Sequence, residues 1–133
     1  MQTGTPKKIL IIEDEHFISE LYTRALSKAG YEVEIQTDGK KGLAAAQTNR
    51  YDIILLDLMI PIITGIEVLR TLRDTTKTSK LNAKIIVATN LEQRDEVRED
   101  IEAQADGYLI KADITPNELV TILNRIEINT PTA

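Results

Sequence analysis

Apolar runs that alternate with helical periods predict an α/β domain, a doubly wound five-stranded parallel sheet with five helices. Two observations carry this. Residues 8–12, 53–56 and 84–88 are short, unbroken and β-branched, the pattern of strands buried on both faces. Between the strands lie stretches with apolar residues at helical spacing, and strand–helix alternation requires right-handed crossovers that place helices on both faces of a parallel sheet.

Residues 8–12 form the first strand. Phe17, Ile18, Leu21, Tyr22, Ala25 and Ala29 then mark one face of a helix that Gly30 ends. Residues 31–35 alternate apolar and polar, as an edge strand does. An Ala-rich helix over 40–49 turns Leu43 inward, 53–56 is the third strand, and Ile66, Leu69 and Leu72 set the face of the third helix. The fourth strand, 84–88, precedes a helix whose apolar stripe is thin: Val97, Ile101 and Ala105. Residues 108–110 are the fifth strand. The last helix opens with Thr115 as cap, Pro116 at the first helical position and Glu118 three residues after the cap. The reading is a single domain over 1–133 with an ordered core of about 7–128 and short flexible ends.

Composition narrows the function. The 133 residues, 42% hydrophobic and 28% charged, suffice for one core. Without cysteine there are no disulfides, zinc–thiolate sites, iron–sulfur clusters or thiol nucleophile. The single histidine, His16, excludes multi-histidine metal sites and reads as a solvated residue at a helix start. A net charge of −5 has the wrong sign for coating nucleic acid or an anionic membrane, and four Tyr, one Phe and no Trp make a poor base-stacking surface. Proteins are the expected partners. The apolar runs are too short for a signal-peptide core or a bilayer span, so a cytoplasmic location is expected.

Ligands of open parallel sheets bind at the carboxyl ends of the strands. Here the first strand ends in Glu13-Asp14-Glu15, the third in Asp57, the fourth in Thr89-Asn90 and the fifth in Lys111. No glycine-rich phosphate loop follows the first strand, which argues against dinucleotide and P-loop chemistry. Carboxylates brought together at adjacent strand ends repel, and a hard divalent cation, best Mg²⁺, relieves that while keeping positions open for phosphate oxygens. An aspartate beside such a metal can accept a phosphoryl group, with metal and lysine offsetting its charge. Asp57 has the place for that role.

The segments IIEDE at 11–15, DIILLDLMIP at 52–61, Gly65, IVAT at 86–89 and GYLIK at 107–111 stand in one order. With them the chain resembles, from about residue 8 to 128, the receiver domain of two-component response regulators, chemotaxis-regulator-like and of flavodoxin-like fold. The resemblance implies a stand-alone receiver in which Asp57 takes the phosphoryl group from a sensor histidine kinase or phosphotransfer protein. It implies that Glu13, Asp14, Asp57 and the Met59 carbonyl hold Mg²⁺, and that Lys111 pairs with acceptor or phosphoryl group. Thr89 would close on the phosphoryl oxygens, with Tyr108 turning inward beside it. Such a chain is not an enzyme beyond its own phosphotransfer and dephosphorylation. A downstream protein would bind the 92–128 face, a homodimer is conceivable, and neither nucleic acid nor membrane is a direct partner. A phosphoryl group adds a charge of about −1.5 to −2 and new acceptor oxygens, enough to pull a hydroxyl and a cation into place.

Departures from the family pattern are as telling. Ala112 follows Lys111 where proline is usual, so a trans or locally strained link is expected, since a non-proline cis bond costs about 3 kcal/mol. Asn90 replaces a small residue, and Ile62 and Ile63 make the loop 61–65 unusually apolar, a surface that could contact a kinase. In the family's geometry Met59 and Leu91 would flank the acceptor and, being apolar, are expected to slow self-dephosphorylation. Residues 92–106 hold seven acids and two arginines, so their net charge equals that of the whole chain and favours a basic or mixed-charge partner. Two competitors remain: a receiver-like scaffold (pseudo-receiver) that binds partners without phosphorylation, and an aspartyl-phosphate hydrolase, which would want a second acid where Met59 stands. Flavin binding is disfavoured by the acidic first loop.

Overall fold

The computed structural model describes residues 7–90 and 94–128; the expected loose ends at 1–6 and 129–133, and Leu91 and Glu92, lie outside them. The elements follow as β1 (Lys8–Ile12), α1 (His16–Lys28), β2 (Glu32–Gln36), α2 (Gly39–Ala46), β3 (Ile53–Leu56), α3 (Gly65–Arg73), β4 (Lys84–Thr89), α4 (Asp95–Gln104), β5 (Gly107–Ile110), a 3₁₀ turn (Lys111–Asp113) and α5 (Pro116–Ile128). All strand pairs are parallel, in the order β2-β1-β3-β4-β5.

The unbroken apolar runs pack on both sides because successive side chains point to opposite faces. Leu10, Ile12, Ile54, Leu56, Ile85 and Val87 meet α2, α3 and α4 through Ala46, Val68, Leu69, Leu72 and Ile101. Ile9, Ile11, Ile53, Leu55, Ile86 and Ala88 meet α1 and α5 through Tyr22, Leu26, Leu119 and Leu123. β2 and β5, at the edges, are only half-buried except for the exposed Glu32.

One helical face differs from expectation. α1 buries Ser19, Tyr22 and Leu26, while Phe17 is 72% exposed and Ala29, beyond the last turn, is exposed as well. Phe17 precedes Tyr22 by five residues, about 140° round the helix, which turns it away from the sheet. Ser19 fits the inner face because its hydroxyl is satisfied by the His16 carbonyl at 3.2 Å. The cap of α5 is as expected: Thr115 Oγ1 accepts from the Glu118 N–H at 3.1 Å, and the Glu118 carboxylate accepts from the Thr115 N–H at 2.9 Å. As expected from Ala112, the Lys111–Ala112 peptide is trans.

Candidate functional site

The parallel register brings the carboxyl ends of β1, β3, β4 and β5 to one end of the sheet. Ile12 pairs with Leu56, so Glu13 and Asp57 leave neighbouring strands at one level, and the Asp57 N–H still donates to the Ile12 carbonyl at 3.0 Å. Thr89, the last residue of β4, is paired with Ile110 and fully buried, which puts Lys111 one residue beyond.

Lys111 is the hub. Its Nζ lies 2.5 Å from Glu13 Oε1 and 3.0 Å from Asp57 Oδ2. The other carboxylate oxygens take backbone donors: Glu13 Oε2 accepts from the Glu15 N–H at 3.2 Å, and Asp57 Oδ1 from the Met59 N–H at 3.0 Å. Glu13, Asp57 and Lys111 are 3%, 6% and 8% exposed. Burial pushes the Glu13 carboxyl from its ordinary 4.5 up to about 7, against the pull of Lys111. Burial also disfavours the Lys111 ammonium, but its two carboxylate partners outweigh that and hold its pKa above the ordinary lysine value.

Asp14 projects into solvent at the rim, and its carboxylate with those of Glu13 and Asp57 forms a set whose oxygens lie within 4.8 Å of one another. Three hard oxygen donors against one ammonium leave an excess of negative charge beside an open cleft. A divalent cation of the Mg²⁺ kind fits that donor set and keeps water on its solvent side. The cleft, about 220 Å³, is lined by Asp14, Glu15, Asp57, Met59, Asn90 and Lys111.

Not every expected residue joins this cluster. Tyr108 is half-buried on the α4 side of β5, with the Arg98 guanidinium 4.6 Å from its ring centre. Ile62 is 76% exposed at φ +75°, left-handed backbone that a β-branched residue rarely adopts, and so presents the expected apolar tip. Ile63, expected to be exposed with it, instead folds back against the core. His16 is solvent-exposed, as expected.

The loop between these residues is fastened at both ends. The Gly39 N–H donates to the Pro61 carbonyl at 3.0 Å, and a Cβ at Gly39 would lie 1.9 Å from the Ile63 carbonyl oxygen. A Cβ at Gly65 would lie 2.3 Å from the Asp57 carbonyl oxygen, so α3 starts directly against the Asp57 backbone. Sequence reasoning singled out neither Gly39 nor the part Tyr22 plays: buried on α1, Tyr22 lines the apolar floor beneath Glu13, Asp57 and Lys111 with Ile11, Leu55 and Ala88. Burial raises its phenol above the ordinary value. Its signal was confined to an ordinary helical apolar spacing.

Comparison with known proteins agrees with this geometry. Residues 9–124 match the response regulator receiver domain family. The response regulator ArlR of Staphylococcus saprophyticus is 38% identical over 119 residues, 90% of this chain and 50% of that protein. The chain spans about half the length of the curated relatives it matches. Among solved structures, the chemotaxis response regulator CheY4 of Vibrio cholerae superposes with a TM-score of 0.77 at 31% identity, covering 92% of this chain and 99% of that one. The receiver domain of the sensor histidine kinase PA1611 from Pseudomonas aeruginosa PAO1, solved with a magnesium ion coordinated in its active-site cleft, matches with a TM-score of 0.76 at 27% identity, over 91% and 97% of the two chains.

Proposed function

Because this chain belongs to the response regulator receiver family, we propose that it accepts a phosphoryl group on the Asp57 carboxylate and thereby switches its protein contacts. The observation that carries the reading is the Lys111 ammonium held between two buried carboxylates at the mouth of an acidic cleft. In the reaction a phosphohistidine N–P bond breaks, an Asp57 O–P bond forms and the donor imidazole leaves. The Met59 N–H orients Asp57 through Oδ1, and Lys111, already on Oδ2, is placed to follow charge onto the transferred group. Glu13, Asp14, Asp57 and the Met59 carbonyl would hold Mg²⁺, which when bound neutralises charge on the transferring phosphoryl oxygens. Thr89, at the adjoining strand end, would supply a hydroxyl to the product, and Tyr108 would follow it.

The donor is a histidine kinase or phosphotransfer protein, and the phosphorylated state is read by a protein at the α4–β5–α5 face. The receiver works in the cytoplasm and catalyses only its own phosphotransfer and dephosphorylation. Intact-protein mass spectrometry after incubation with acetyl phosphate tests this. One phosphoryl adduct that needs Mg²⁺ and vanishes in Asp57→Asn supports the reading. No adduct from either acetyl phosphate or a phosphohistidine donor would overturn it and leave a scaffold that binds without phosphorylation.

A further inference from the structure

α4 has little packing of its own. Ile101 is its single fully buried residue, with Val97 partly buried beside it, and its last turn carries no basic side chain to meet the carbonyl end of the helix. α3 supplies what is missing. Arg70 reaches Asp100 at 3.0 Å. Arg73 Nε donates to the Gln104 carbonyl at 2.6 Å, at the C-terminal end of α4, and Arg73 also pairs with Asp106 at 3.0 Å. Asp106 is fixed in turn to β4: its carboxylate accepts from the Ile85 N–H at 2.8 Å and its own N–H donates to the Ile85 carbonyl at 2.7 Å. Arg73 therefore acts as a C-terminal cap delivered from a neighbouring helix.

We propose that Arg70 and Arg73 form a salt-sensitive latch through which α3 holds α4 in place. The same α3 abuts the Asp57 backbone at Gly65, so one helix touches the acceptor loop at its start and fixes α4 at its end. The latch stands on the unphosphorylated geometry and holds whether or not Asp57 is a phosphoacceptor. An outer pair such as Arg70–Asp100, 61% and 51% exposed, is screened by salt, whereas the inner Arg73–Asp106 pair, 31% and 33% exposed and tied to backbone, is screened less.

Amide hydrogen exchange on the full chain, at about 0.1 M and about 1 M salt, tests the latch. In Arg73→Ala the α4 amides should exchange about tenfold faster while those of β1 and β3 keep their rates. Wild-type α4 should exchange faster at the higher salt. Arg70→Asp should loosen α4, and the reversed pair Arg70→Asp with Asp100→Arg should restore it. The surface pair decides the matter even if Arg73→Ala fails to fold. Unchanged α4 exchange in Arg70→Asp, no recovery in the reversed pair, or equal acceleration in β1 and β3 would each overturn the proposal.

Discussion

At the strand ends, three charged groups are almost entirely buried and hold one another; between α3 and α4, arginines and aspartates of similar number lie partly or largely in water. Both sets use ion pairs at about 3 Å, yet they answer to different conditions. Charges withdrawn from water are scarcely screened, and their balance is set by protons and by any cation that joins them. Exposed pairs gain little each and lose it to salt. The buried cluster thus answers chiefly to protons and cations, and the pose of one helix to ionic strength.

The sharpest way to break this contrast is Lys111→Met. Two buried carboxylates then lose their cation, and urea unfolding of the metal-free protein should show a loss of about 3 kcal/mol, partly recovered with Mg²⁺. An unchanged midpoint would mean that the strand-end charges are as well solvated as the outer ones. Gly65→Ala strikes both regions together, because the new Cβ meets the Asp57 carbonyl oxygen and Leu58 Cα; a cost of about 2 kcal/mol and slower phosphorylation are expected.

A smaller effect follows from pH. The Glu13 carboxyl titrates near 7 in the fold against an ordinary 4.5, so between these values the folded chain binds more protons than the unfolded one. Stability of the metal-free protein should fall as pH rises from about 4.5 to about 7 and then level, and Glu13→Gln should flatten that slope in thermal melts. Mg²⁺ affinity, followed by calorimetry, should rise over the same window as the proton leaves. Smallest is Arg70→Ala, expected to cost at most about 0.5 kcal/mol at low salt and nothing measurable at about 1 M.

The buried strands and their terminal residues were legible for one reason. A strand covered on both faces must be written as an unbroken apolar run, so a charge at its end stands out: Glu13 after β1, Asp57 after β3. Lys111, after the half-buried edge strand β5, was placed by the strand–helix alternation. The α5 cap was legible because both partners of its reciprocal bonds lie within four residues. What escaped depends on distant neighbours. Phe17 and Tyr22 are both large and apolar, and only the rotation of α1 against the sheet sends one outward and one beneath Asp57. Ile62 and Ile63 are identical neighbours with different fates, separated by the left-handed backbone at Ile62. Nothing in the sequence singles out Arg70 and Arg73; their role shows only when α4 is laid beside them.

The sheet order also bears on the sequence of events in folding. β1 and β3 sit next to each other at its centre, so Glu13 and Asp57 come together as soon as those strands pair. Their cation lies 98 residues after Glu13 and 54 after Asp57, on the far side of a crossover that must first bring β5 to the sheet edge. A chain growing from its amino end meets the repulsion before the remedy, and closing the longer loop is the slower event. Docking of β5 is therefore what completes the buried cluster, and a nascent chain halted before it would hold two facing acids with only a proton to share between them.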